Sequence, residues 1–242
     1  MPRAYCHRGS NTTSYNAGVA TADLKARSDR DARSTKRRRR SPEEARREIL
    51  DAATTLLQER PAHEVTVIAI MARTTLSRKA FYVYFRDRTE LLTSLVAPLR
   101  AQADVTLQRW REATDIVGAG REALRSAAIL YQRHGVILRA LAEASRHDPE
   151  AAEAWSQVTA PVVAVAAQKI AEATAAGDSH GLDPEATARA LVTMNVHYLL
   201  DLLAGNHAAD IDTTAATLTT IWERTIYLRQ PAQIAPRQRP PG

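Results

Sequence analysis

Residues Thr74 to Leu92 read TTLSRKAFYVYFRDRTELL, and Phe81, Tyr82, Tyr84 and Phe85 place four of the chain's twelve aromatic residues within five positions, beside Arg78 and Lys79. Ser77 is a good N-cap, so a short helix is predicted from there to about Phe85. Arg78, Lys79 and Tyr82, at i, i+1 and i+4, then share an outward face, and Phe81 and Phe85, at i and i+4, share a packing face. Burial of those two rings is worth about 2–3 kcal/mol each. Upstream, Thr66 caps another short helix in which Val67, Ile70 and Met71 share a side, and only Thr74 to Leu76 separate the two. Two short helices about a tight turn make a helix-turn-helix, whose second helix enters the major groove. Arg78 suits a bidentate pair with a guanine edge, while Lys79, Tyr82 and Tyr84 suit bases or phosphate oxygens. A solvated cationic face on an ordinary small helical bundle is the plain alternative.

Further out, SPEE at Ser41 to Glu44 is a capping box with proline at the first helical position. Ile49, Leu50, Ala53, Leu56 and Leu57 continue it as one apolar stripe, ending near Arg60-Pro61. Asp87 caps a fourth helix whose apolar positions run to about Glu112, with a kink expected at Pro98. The pattern stays helical thereafter: Gly120 to about His134 and on to His147, Asp148 to about Ala176, Asp183 to Ala204, and Asp212 to Leu228. No segment alternates with period two. The expected fold is therefore all-α: a three-helix helix-turn-helix domain over 41–88 and a second helical domain over 89–229, between a disordered basic arm at 1–40 and a disordered tail at 230–242.

Charge is unevenly spread along the 242 residues. Residues 1–40 carry 11 Lys and Arg against 3 Asp, residues 41–90 carry eight of each sign, and the rest 14 basic against 16 acidic, so the formal excess of +6 lies in the arm ending Lys36, Arg37, Arg38, Arg39, Arg40. Such an arm fits a polyanion or serves only solubility. Cys6 is the single cysteine, which excludes an internal disulfide or Cys-based metal site. No apolar run approaches the ~20 residues of a bilayer span and no signal-peptide core follows the N-terminus, so a cytoplasmic protein without membrane attachment is expected.

The motif resembles that of the TetR family of transcriptional regulators. Such sequences carry a threonine opening the second helix, an apolar residue and serine opening the third, an aromatic run, then a basic and an acidic residue opening the fourth. Here these are Thr66, Leu76, Ser77, the FYVYF of Phe81 to Phe85, Arg88 and Glu90. FYVYF, Trp155 in AEAWS, TMN at Thr193 to Asn195 and IW at Ile221-Trp222 resemble more closely the actinobacterial subgroup typified by the ethionamide-resistance regulator. The resemblance implies DNA contacts at Thr66, Ser77, Arg78, Lys79, Tyr82, Tyr84 and Arg88; Thr75 in the turn is a further candidate, and the charge of Lys36 to Arg40 suits added phosphate or minor-groove contacts. The resemblance also implies dimerisation through the last two helices.

In ALVTMNVHYLLDLLAG, Leu191, Asn195, Tyr198 and Leu202 form one stripe and Val192, Val196, Leu199 and Leu203 a second. A helix apolar on two sides is buried on two sides, and a partner subunit supplies the second surface most economically. Asn195 in an apolar stripe needs its hydrogen bonds met by a ligand, a backbone group or a buried water. The subgroup resemblance favours a ligand and gives a candidate wall of Trp110, Tyr131, Trp155, Met194, Asn195, Tyr198 and Trp222, suited to a hydrophobic or amphipathic effector. Each aromatic, taken singly, also reads as core.

Catalytic motifs are missing: no GxSxG elbow, glycine-rich phosphate loop or HExxH pair occurs, and His7, His63, His134, His147, His180, His197 and His207 show no ligand spacing. Neither enzyme nor cofactor is expected. The resulting expectation is a ligand-responsive repressor that binds palindromic double-stranded DNA as a homodimer. A carrier of the same fold that does not read DNA, or a non-specific nucleic-acid coating protein, is the alternative.

Overall fold

A computed structural model describes residues 41–204 and 209–228; the arm with Lys36 to Arg40, and the tail 230–242, lie outside them. Helix α1 (Pro42–Glu59) opens on the expected capping box. The Ser41 backbone N–H donates to Glu44 Oε2 at 2.9 Å and the Glu44 N–H to Ser41 Oγ at 3.1 Å. After a single 3-10 turn at Ala62–Glu64 come α2 (Val67–Ala72) and α3 (Arg78–Tyr84). Thr66 caps α2 by accepting from the Ala69 N–H at 3.2 Å. Ser77 occupies the N-cap position of α3 with extended backbone, but its hydroxyl makes no capping bond. The tight link between α2 and α3 is held from α1 instead: the Thr75 N–H and hydroxyl both donate to Glu48 Oε1, at 2.6 and 2.9 Å. Arg73, at the end of α2, grips Glu59 with both terminal nitrogens. Beneath them Ile49, Leu56, Ile70, Phe81 and Phe85 close a core with Leu91 and Leu92 of the next helix.

That helix is α4 (Arg88–Glu112), capped by Asp87 accepting from the Glu90 N–H at 2.9 Å and continuous through Pro98. It leads to α5 (Ile116–Ala144), α6 (Pro149–Ala175), α7 (Pro184–Leu203) and α8 (Ile211–Ile226). Asp148 and Asp183 cap α6 and α7 as expected. One expectation is corrected. One unbroken helix, α5, replaces the pair expected from Gly120 to His134 and on to His147, and Asp115 caps it by accepting from the Gly118 N–H. Gly135, which reads as a weak point, lies where α5 passes the end of α7: a Cβ there would come 2.7 Å from Ala204 Cβ and 2.8 Å from its Cα. The last helix begins at Ile211, one residue before the expected start, and Asp210 caps it by accepting from the Thr213 N–H and hydroxyl.

Helix α5 is central, packing on α4, α6, α7 and α8. Arg121 and Arg125 on it pair with Glu223 and Asp212 on α8 at 2.6 and 3.1 Å, and Arg139 donates to the Leu200 carbonyl of α7. The loop from α6 to α7 turns on Gly177 and Gly181, both at positive φ, a conformation glycine adopts without a Cβ penalty. Between them Ser179 forms an isolated bridge with Tyr227 just past α8. No helix among the described residues is long and apolar enough to cross a membrane.

Candidate DNA-reading surface and effector cavity

On α3, Arg78 and Lys79 are exposed and Tyr82 is 58% exposed, whereas Phe81 and Phe85 are 0% and 1% exposed. The two buried rings lie 5.6 Å apart, the Arg46 guanidinium sits 5.0 Å over the Phe85 ring, and the edge of Tyr82 meets Phe81 at 5.3 Å. The inner rings thus fix the rotation of a helix too short to be stable alone. Thr66, Thr75 and Ser77 are exposed beside this face. Thr66 and Thr75 already spend oxygen atoms on the cap of α2 and on Glu48.

Two expected DNA contacts are placed differently. Tyr84 is half-buried and packs on the core, since at i+3 from Phe81 it shares that residue's side of the helix. Arg88 is half-buried near Glu143 of α5; burial pushes its guanidinium below its ordinary pKa and the Glu143 carboxylate partly opposes this. Sequence reading also passed over two exposed apolar side chains of the helix pair, Val83 on α3 at 75% and Ile68 on α2 at 59%. Val83 stands at i+4 from Lys79, so the periodicity that found Lys79 would have found it too.

The residues between α3 and α4 connect directly to α6. Arg86 donates from Nε to Asp87 at 2.8 Å and from a terminal nitrogen to Glu150, and these two carboxylates raise its pKa. Thr89 Oγ1 donates to Asp148 Oδ2 at 2.5 Å, while the other Asp148 oxygen caps α6. The Thr89 hydroxyl bond, followed by the backbone N–H bonds, holds the Asp148 carboxyl below the usual range.

A cavity of about 300 Å³ opens between α4, α5, α6, α7 and α8, at the lower end of the ~300–1,000 Å³ typical of small-molecule sites. Trp110, Tyr131, Asn195 and Trp222 line it as expected. Trp155, Met194 and Tyr198 do not: Trp155 and Met194 are half-buried in the surrounding core, and Tyr198 is exposed on the outside of α7. The Trp222 indole N–H donates to Asn195 Oδ1 at 3.1 Å and the two tryptophan rings meet edge-on at 6.1 Å. Asn195 thus has its oxygen satisfied by a neighbouring side chain, and its amide nitrogen remains to be used.

Burial alone pushes the Tyr131 phenol up from its ordinary value, and burial with nearby carboxylates, Glu223 first, pushes Tyr227 up to about 12; both stay neutral donors at the wall. The Trp110 indole N–H is the one buried side-chain polar atom without a hydrogen bond among the described residues. Three charged residues that sequence reading did not place here also line the cavity, Arg121, Lys169 and Glu223.

A family model described as bacterial regulatory proteins, tetR family, matches residues 49–95, and one described as the C-terminal domain of the transcriptional regulator EthR matches residues 120–228. The HTH-type transcriptional regulator EthR of Mycobacterium tuberculosis is 29% identical over 184 residues, 74% of this chain and 85% of that protein. Among solved structures, NalD, the secondary repressor of the MexAB-OprM multidrug efflux pump in Pseudomonas aeruginosa, superposes with a TM-score of 0.64 at 20% identity, covering 78% of this chain and 99% of that one. A SmeT–triclosan complex superposes with a TM-score of 0.63 at 19% identity, covering 82% and 98%.

Proposed function

The chain belongs to the TetR family of transcriptional regulators, and on that premise we propose that it binds a palindromic operator as a homodimer in the cytoplasm, represses an adjacent gene and is released by an apolar or amphipathic effector. The observation that carries this reading is the division of α3 into an exposed edge of Arg78, Lys79, Tyr82 and Val83 and a buried one of Phe81 and Phe85. Cations on that edge suit guanine and phosphate oxygens, and Val83 with Ile68 adds apolar contacts suited to thymine methyl groups. The division between reading and sensing halves falls at Arg88, where α4 begins. Residues Lys36 to Arg40 would strengthen binding through phosphates, with an affinity that declines as salt rises.

Release follows from connectivity. Helix α6 lines the cavity along its later turns and is tied at its start, through Asp148 and Glu150, to Thr89 and Arg86 beside the reading helix. An effector that fits one placement of α6 better than another shifts the population of reading-head placements, and only the difference in affinity does so. The relative solved with triclosan supports a small apolar occupant. No enzymatic step is required of any residue.

Selecting fragments of the host genome with the purified protein tests this. The expected result is one family of inverted repeats with half-sites about 34 Å apart, preferred roughly 10³-fold or more over bulk DNA. Uniform recovery of unrelated fragments would mark a coating protein, and no recovery a carrier.

A further inference from the structure

Lys169 is out of place as a surface residue: its side chain is 5% exposed, on the wall of the cavity, with Nζ 3.0 Å from Glu172 Oε2. We propose that Lys169 is the anchor for an effector bearing a carboxylate on an apolar body, and that Glu172 holds the place of that carboxylate until the effector arrives. This rests on the reading of the cavity as the effector site.

Charge along the wall supports it. Of the three charged residues there, Glu223 is matched on the wall itself by Arg121 at 2.6 Å, whereas Lys169 is matched only from outside the lining, by Glu172. Its partner Glu172 does not line the cavity, is 38% exposed and also accepts from the Gln168 side-chain amide at 2.8 Å, so it keeps a hydrogen bond when displaced from Lys169. A buried ammonium is stable only with an anion in reach, and a ligand carboxylate enclosed in the cavity is screened less than a half-exposed glutamate. One of the three ammonium donors is used by Glu172, leaving two. The rest of the wall also asks for an acceptor. Tyr131 and Tyr227 are held neutral, and the unsatisfied buried atom is the indole N–H of Trp110. The cavity's modest volume fits a medium-length chain.

Three ten-carbon probes that differ only at the head separate the possibilities: decanoate, 1-decanol and decyltrimethylammonium, titrated into the full-length protein with quenching of the cavity tryptophans as readout. The wild type is expected to bind decanoate about ten-fold or more tightly than decanol, the gain of one charge-assisted hydrogen bond. Lys169→Met should bring the two to within about three-fold by abolishing that bond, while Lys169→Arg retains the preference and Glu172→Gln increases it. Equal binding of decanoate and decanol by the wild type, or preference for the ammonium probe, overturns the anchor and leaves the cavity reading standing; the wild-type ranking does so without any variant having to fold. Unchanged decanoate affinity in Lys169→Met overturns it likewise. Failure of all three probes to bind removes the cavity reading, and the anchor with it.

Discussion

Phe81 and Arg78 stand three residues apart and act on different quantities. The Phe81 ring is fully enclosed against Ile49, Ile70 and Phe85, so Phe81→Ala should destabilise the protein by about 3–5 kcal/mol, read from the midpoint of a urea titration. Arg78 is exposed and at the outward edge, so Arg78→Ala should leave that midpoint within about 0.5 kcal/mol and weaken operator binding by roughly 1–3 kcal/mol in fluorescence anisotropy. An Arg78 variant that lowers the urea midpoint while operator binding is kept would mean the helix is rotated from the position described. Gly135 gives a second case. A Cβ there would meet the backbone of Ala204 at under 3 Å, and backbone yields less than a side chain, so Gly135→Ala should cost about 1–3 kcal/mol by overpacking. Sequence showed Phe81 and Arg78 because their roles follow from spacing on one helix. It could not show the role of Gly135 or the burial of Lys169, since both depend on which helix passes which.

The same distinction holds for whole helices. Starts at Ser41, Thr66, Asp87, Asp148 and Asp183 were legible because a cap acts on N–H groups within three residues. The unbroken run of α5 was not, because its interior glycine weakens the local signal while packing against α7 favours it. These caps carry a pH dependence. Backbone N–H bonds, with Arg86 second, depress the Asp87 carboxyl; the Thr89 hydroxyl depresses Asp148; and the Thr213 hydroxyl and N–H depress Asp210. A carboxyl whose folded pKa lies below its unfolded value contributes stability that is fully present above about 3.8, the ordinary value in each case, and is lost as pH falls through the folded value. Thermal midpoints should therefore hold from neutral pH down to about 4–5 and drop steeply below it. Asp148→Asn keeps a capping oxygen but cannot ionise, so it should start from a lower midpoint at neutral pH and lose less on acidification. Equal acid slopes for both proteins would exclude Asp148 as a contributor.

Assembly is the property that one chain's sequence reveals least, because a surface buried by a partner and a surface left to water can carry similar residues. Helix α7 uses Leu191, Val192, Leu199 and Leu203 within its own subunit, so both apolar stripes expected to need a partner are largely satisfied internally. What remains outside includes Tyr198 on α7, with His197 and Asp201 beside it, and on α8 Ala216, Thr217, Thr220 and Ile221, a strip of uncharged exposed side chains that ends at Arg224. Small residues let two helices approach closely, and Tyr198 and Ile221 supply apolar area, which makes this strip the proposed dimer face. A carboxylate buried there by a partner would lose its water, and in a two-fold dimer every substitution is made twice. Ile221→Glu should therefore lower the sedimenting mass from twice the chain mass of 26.6 kDa to that of a single chain, with the helical signal unchanged because Ile221 is exposed in the subunit. The monomer should retain contacts with one half-site and lose the preference for paired half-sites over an isolated one. A variant that stays dimeric would move the interface away from α8, and one that becomes monomeric yet still prefers paired sites would separate operator symmetry from dimerisation in solution.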